Sequence, residues 1–362
     1  MNYFKEAVSL LETLISIPSF SDHEDDVAAV WEDWLRKHGA ENVARFHNNV
    51  YALSSGFDPS KPILMLNSHM DTVVPSQSYS RDPFSPTIEE GKLFGLGSND
   101  AGGSGVCLAS TFLQFKDDKE LPFNLLFAIT ASEEKMGEKG MRAFLPYLRE
   151  EGLYPQMAIV GEPTGCQAAI AERGLVVCDA LAEGKSGHAA RNEGINAIYR
   201  AIEDIEIIRN FKWPESEILG PVKSTVTMIE AGTQHNVVPD KCKYVVDIRT
   251  TEVLSNEETV AKLQNELKWS KLTPRSLRLQ ASALKKDHPL ILAAIKTGME
   301  LYTSPTSSDM MNMRDIASIK IGPGESARSH SDDEFIYLEE IRKGIDTYHE
   351  YLLNLARTLE IR

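Results

Sequence analysis

Four short apolar runs constrain this chain most, because each ends in a turn of small, acidic or imidazole-bearing residues. Ile63 to Leu66 leads into Asn67-Ser68-His69, and Phe123 to Ile129 into Thr130 to Glu134. Met157 to Val160 leads into Gly161-Glu162-Pro163-Thr164, and Ile319 to Ile321 into Gly322-Pro323-Gly324. Near-continuous apolar strands separated by helical stretches predict a sheet buried on both faces, doubly wound and mostly parallel. In such sheets ligands gather at the carboxyl ends of the strands. Each run here ends in residues able to bind a metal, or in a loop leading to one.

The flanking segments supply helices. Phe4, Val8, Leu11 and Ile15 recur at helical spacing, and Pro18 stops that helix. Ser21 and Glu24 are spaced as a capping box for a second helix, whose apolar face is Val27, Val30, Trp31, Trp34 and Leu35 and which ends at Gly39.

The middle of the chain is patterned differently. It reads strand (174–183), helix (196–210), strand (224–231), strand (243–249), helix (256–267), strand (275–280). That β-α-β-β-α-β order is ferredoxin-like. The expected organisation is one domain from residues 1–172 and 285–362, with an inserted domain at 173–284. A length of 362 residues suits two cores better than one.

The formal charge of -15 disfavours phosphate backbones and anionic lipid, so neither nucleic acid nor membrane is an expected partner. Cys107, Cys166, Cys178 and Cys242 form no C-x-x-C pair, which fits a reducing compartment. The N-terminal segment carries Lys5, Glu6 and Glu12 among its apolar residues, so it reads as an amphipathic helix rather than a signal peptide. No apolar run approaches the ~18 residues of a membrane span. A cytoplasmic location is expected.

With no cysteine pair available, a metal site must be built from His and carboxylates. In His69-Met70-Asp71 the acid could orient the imidazole, as carboxylates do for metal-bound His. The glycine-rich Gly95 to Gly103 stretch lacks a phosphate fingerprint: Asp100 stands where G-x-G-x-x-G needs its last glycine. Glu133 and Glu134 directly follow a buried-strand pattern, so one could bind a metal while the other moves protons. Glu162 stands at a strand end, and His330 lies beyond the glycine-rich loop, before the last helix. This N/O set suits zinc, or cobalt or manganese, and has too many ligands for one tetrahedral ion. Two ions sharing one carboxylate, about 3.5–4 Å apart, would use it.

At these residues the sequence resembles the di-zinc acylase and carboxypeptidase family, most of all its acetylornithine deacetylase branch. The likeness runs in order through His69-Met70-Asp71, Gly97-Ser98-Asn99-Asp100, Glu133-Glu134, Gly161-Glu162-Pro163-Thr164, Gly187-His188 and His330. It implies that Asp100 bridges two metals, with His69 and Glu162 on one and Glu134 and His330 on the other. It further implies that Asp71 orients His69, that Glu133 is the general base, and that a cis peptide follows Asp100. His188 would support the oxyanion in a partner subunit's site, which implies a homodimer whose inserted domain acts as a lid. Arg249 would hold the substrate's α-carboxylate, Asn236 would lie near the substrate, and Gly324 would offer it a backbone contact. The implied activity is removal of the N-acyl group from a small N-acyl-L-amino acid.

The sequence departs from the family where Leu96 replaces the usual arginine and Ala101-Gly102 follows Asp100. Deacylation of citrulline or lysine, desuccinylation of diaminopimelate and dipeptide cleavage are alternative activities. A succinyl substrate needs an extra cation, for which Arg173, Arg191 and Arg314 are candidates. An inactive metal-binding relative would have lost a ligand or the base, and none is lost here. A nucleotide-binding oxidoreductase would need the missing phosphate fingerprint.

Overall fold

The computed structural model describes residues 2–191 and 193–360. Helix α1 (Tyr3–Ile15) starts where the Asn2 side chain accepts the Lys5 N–H, and it buries Ala7, Leu10, Leu11 and Leu14. Helix α2 (Asp25–Lys37) buries Val27, Ala28, Trp31 and Leu35, and the chain turns away at Gly39 with φ 82°. The expected capping box is not made: Glu24 stands at the N-cap without a side-chain cap bond. The Ser21 hydroxyl donates instead to Asp71, and Glu24 accepts the Ser132 N–H. Tertiary acceptors and donors have outcompeted the local cap.

The chain continues through β1 (Asn42–Phe46), β2 (Asn49–Leu53), β3 (Ile63–His69), α3 (Gly103–Phe115), β4 (Asn124–Thr130), α4 (Met141–Glu150), β5 (Met157–Val160) and β6 (Ala168–Glu172). The middle segment supplies β7 (Gly174–Glu183), α5 (Ala197–Asn210), β8 (Lys223–Ala231), β9 (Lys241–Thr250), α6 (Asn256–Glu266) and β10 (Ser270–Pro274). The last part returns with α7 (Pro289–Lys296), β11 (Ala317–Lys320) and α8 (Leu338–Glu360). Two compact units result: Met1–Ile170 with Leu284–Tyr302 and Ser308–Arg362, and Ala171–Ala283 with Thr303–Ser307.

In the first unit the strands run β1-β2-β4-β3-β5-β11-β6. The central four, β4, β3, β5 and β11, are parallel, and the strands on either side of them are antiparallel. Every residue of β3, β4 and β5 is buried, as their apolar runs predict. Met65, Leu126, Ala128 and Ala158 pack with Phe144 and Leu148 of α4. Phe127, from the alternate set, meets Trp31 and Phe112, with centroids 5.8 and 5.9 Å away. Helices thus cover both faces, and each buried aromatic or leucine contributes roughly 1.5–3 kcal/mol. Register aligns His69 with Thr130 and Asn67 with Val160, so the carboxyl ends of β3, β4 and β5 open onto one place.

The second unit has the order β8-β9-β7-β10, antiparallel throughout. Its inner face, with Val176, Cys178, Tyr244, Val246, Ile248 and Leu272, packs on Ala201, Ile208, Val260 and Leu263 of the two helices. The last strand is Ser270–Pro274, not 275–280 as the sequence suggested. Ser270 and Leu272 are buried while Lys271 and Thr273 are exposed, so the period-2 signal was there but polar. Beyond Pro274, the Arg275 N–H makes one more bond to β7, at the Val177 carbonyl, and its side chain pairs with Asp179. All four cysteines are buried and free. Among the described residues, no helix is long and apolar enough to cross a membrane.

Candidate metal centre

His69 is the last residue of β3 and is buried. Its Nε2 lies 3.3 Å from Asp100 Oδ1, 3.9 Å from Glu162 Oε1 and 4.0 Å from Glu133 Oε2. Asp100 turns its other oxygen to His330, with Oδ2 3.6 Å from Nε2. His330 Nε2 is 2.9 Å from Glu134 Oε2. The side chains fall into two groups, His69-Asp100-Glu162 and Asp100-Glu134-His330, with the ligating atoms of each within 4.8 Å of one another. Asp100 belongs to both.

Buried polar side chains hold the turns that carry these ligands. The Asp71 carboxylate accepts the Ser21 hydroxyl at 2.6 Å and the Glu133 and Glu134 N–H groups at 2.9 and 3.1 Å. One carboxylate thereby fixes the backbone of both adjacent acids. Its relation to His69 differs from the expected one. Nδ1 of His69 lies 2.9 Å from the Asp71 backbone oxygen and 3.5 Å from the carboxylate. The carbonyl is the nearer acceptor, so Nδ1 donates to it and Nε2 is the nitrogen turned to the acids around it.

The Asp100 loop is held from two sides. Glu334 Oε1 accepts the N–H groups of Asn99 and Asp100 at 2.7 and 2.9 Å, and its Oε2 accepts that of Gly97 at 3.0 Å. The Asn99 side chain pairs with the backbone of Glu325, accepting its N–H at 3.0 Å and donating to its carbonyl at 3.1 Å. Gly97 adopts φ 76°, and a Cβ there would sit 2.6 Å from Thr72. The peptide between Asp100 and Ala101 is cis.

The electrostatics favour a cation. Burial works to lower the proton affinity of His69, yet Asp100, Asp71, Glu133 and Glu162 raise it well above the usual value. Burial and the neighbouring Glu162, Asp309 and Asp71 carboxylates push Glu133 well up, against the pull of His69. Burial and Asp100 push Glu162 up to about 8. A hydrogen bond to Glu134 lifts His330 to about 9. Carboxylates crowded this closely repel unless positive charge stands among them. Two imidazoles and three ligating carboxylates, one of them shared, match the hard-to-borderline N/O set of a two-metal hydrolase site. The residues therefore fit a pair of divalent cations.

Gly324 lies in the same unit with φ 83°, and its glycine identity has a packing cause: a Cβ would come 2.4 Å from Asn99 Oδ1. His188, Asn236 and Arg249 belong to the second unit. His188 and Val237 pair across a short two-stranded ribbon, and the Asn236 carbonyl accepts the Ala189 N–H. His188 is exposed, and its Nδ1 accepts the Ala190 N–H at 3.2 Å, which leaves the neutral ring's proton on Nε2. Arg249 is held by Asp247 through two bonds of 2.8 and 3.2 Å.

Sequence reading gave Glu24 only a capping role and missed Asp309 and Glu334. All three are acids in runs that look solvated, yet each is buried beneath the site. Asp309 accepts the Thr130 hydroxyl at 2.8 Å, and burial pushes it up to about 6. The one available signal was Phe335-Ile336 directly after Glu334, an apolar step that ends an acidic run.

The model of peptidase family M20/M25/M40 matches residues 65–354, which span every residue of both ligand groups. The chain belongs to this family of metal-dependent hydrolases of amide bonds. It is 24% identical to succinyl-diaminopimelate desuccinylase of Rickettsia felis, covering 96% of this chain and 99% of the relative. It is 25% identical to the Wolbachia pipientis protein of the same name, over 96% of this chain and 93% of that one. Among solved structures, the Bacillus subtilis YXEP protein, a dinuclear metal binding peptidase, superimposes with TM-score 0.73 at 15% identity, covering 98% and 99% of the two chains. Aminopeptidase PepT of Bacillus cereus does so with TM-score 0.72 at 20% identity, over 98% and 99%.

Proposed function

We propose that this amidohydrolase removes the N-acyl group from an N-acyl-L-amino acid, in the manner of acetylornithine deacetylase. The observation that carries the reading is the pair of ligand groups sharing Asp100, with Glu133 beside them and in neither. His69 and Glu162 would hold one divalent cation, Glu134 and His330 the other, and Asp100 both; zinc is the expected metal, with cobalt or manganese able to replace it. When bound, the cations acidify water and offset negative charge at the scissile carbonyl.

The chain's own residues do the rest. Glu133 takes a proton from the attacking water, whose oxygen bonds to the acyl carbon. As the C–N bond breaks, Glu133 passes that proton to the departing amine. The products are the free acid and the amino acid. Glu133 lies beside the ligands without being one of them, which frees its carboxylate to accept and release a proton in one cycle. Asp71 keeps Glu133 and Glu134 aimed through their backbone N–H groups.

His188, with its proton on the exposed Nε2, is our choice of oxyanion donor, delivered by the second unit of a partner copy acting as a lid in a homodimer. Arg249 is proposed to grip the substrate α-carboxylate, exchanging Asp247 for it, with Asn236 and the Gly324 backbone as further contacts.

A succinyl substrate is the second reading, favoured by the names of the relatives at 24–25% identity. Of the three arginines considered for the extra carboxylate, Arg173 is engaged by the carbonyls of Leu219 and Pro221, which leaves Arg191 and Arg314. The test is hydrolysis of N-acetyl-L-ornithine, N-acetyl- and N-succinyl-L-citrulline, N-succinyl-diaminopimelate and a dipeptide, after chelation and again after zinc is restored. Zinc-dependent turnover concentrated on the acetylated substrates is expected. Preference for a succinylated one selects the second reading, and turnover of the dipeptide alone rejects both.

A further inference from the structure

We infer that Glu334 is a positioning residue that sets the shared ligand, holding the Asp100 carboxylate where both metal groups can use it. The inference rests on the two-cation reading above and goes beyond it to a residue outside the ligand set. Glu334 is buried, 2% exposed, and lies four residues after His330. Its two oxygens take the N–H groups of Gly97, Asn99 and Asp100, the last being the ligand's own amide. Its backbone carbonyl also accepts the Gly95 N–H at 2.9 Å. Asp100 and His330 come from loops more than two hundred residues apart in sequence, and Glu334 ties those loops together.

The second unit contains a matched clasp. Asp204 of α5 is fully buried and accepts the N–H groups of Lys268, Trp269 and Ser270 at 2.8, 3.1 and 2.6 Å. It touches no ligand of either group. A buried carboxylate binding three successive or near-successive amides is thus used twice, once for structure and once, on our reading, for the metal centre.

The experiment compares metal-free wild type, Glu334→Gln and Asp204→Asn, each titrated with Co2+ alone. Heat and the visible absorption of the bound ion are followed, and Tm is recorded without metal. Wild type is expected to bind two ions. Glu334→Gln is expected to bind at least one of them ~10–100-fold more weakly, with an altered Co2+ spectrum, as outer partners of metal ligands do. Asp204→Asn should lower Tm while leaving both affinities and the spectrum as in wild type. If Glu334→Gln gives no folded protein, Glu334→Asp, which withdraws the carboxylate by one methylene, takes its place with the same expectation. Wild-type affinities and spectrum in the Glu334 variant overturn the inference. So does an equal loss in Asp204→Asn, since the effect would then be general loosening. Wild type that binds fewer than two ions overturns the two-cation reading and this inference with it.

Discussion

The sequence Ser-x-x-Glu occurs before two helices and is used in opposite ways. Before α6, Ser255 accepts the Glu258 N–H and Glu258 accepts the Ser255 N–H, a complete capping box. Before α2, Ser21 and Glu24 leave the helix uncapped and bond to Asp71 and Ser132. The first lies in the second unit, whose apolar cluster joins one sheet face to two helices. The second lies in the unit whose strand ends and adjoining turns carry Asp71, Asp100, Glu133, Glu134, Glu162 and Asp309. A cap is worth ~1 kcal/mol. A buried carboxylate or amide without a partner costs about 1–3 kcal/mol or more. Where such groups crowd together, satisfying them wins over local capping, so the region doing chemistry departs from its local rules.

The contrast can be broken or sharpened by experiment. The largest effect is expected at Glu133. Glu133→Gln removes the proton carrier but no ligand, so kcat should fall on the order of 10³-fold while two metals stay bound. Measured turnover within tenfold of wild type would remove the base from Glu133.

The second unit's largest expected effect on turnover comes from one exposed side chain. His188→Ala is expected to lower kcat on the order of 10²-fold, the cost of losing an oxyanion donor, with metal content and Tm unchanged. Near-normal kcat would reduce His188 to a ribbon residue and leave Arg249 and Asn236 as the second unit's proposed contributions.

The smallest effect expected is one of pH on the metal-free protein. Glu162 rises from 4.5 to about 8 on folding, so the folded form keeps a proton that the unfolded chain loses above pH 4.5. That penalty grows as pH rises toward 8. His330 rises from 6.5 to about 9, so its contribution is complete below 6.5 and lost as pH rises through 9. Both push the same way: Tm in EDTA should fall between pH 6.5 and 9, and the rise in Tm on adding Zn2+ should grow over that window. A zinc-induced shift of constant size across that window would sink this account of the site's charge.

Much of the first unit was legible. The apolar runs 63–66, 123–129, 157–160 and 319–321 mark the strands at the centre of its sheet, because a strand covered on both faces has no polar side to write. The ligands were legible because the chain places His69, Glu134, Glu162 and His330 at or beyond the end of such a run, and Asp100 in the glycine-rich stretch between two of them. The last strand of the second unit was misplaced, since Ser270-Lys271-Leu272-Thr273 carries only one large apolar side chain.

The sequence by itself determined which residue types stand at or beyond the strand ends, and so grouped His69, Asp100, Glu133, Glu134, Glu162 and His330 as one chemical set. The tertiary structure alone decided what holds them. In a one-dimensional reading Glu24 looks like a helix cap, and Asp309 and Glu334 look like solvated acids. They are buried because backbone N–H groups and a hydroxyl, brought from loops distant in sequence, converge on them. A carboxylate's environment is set by which chain segments meet around it, and that meeting is specified by the packing of the whole unit, not by its neighbours in sequence.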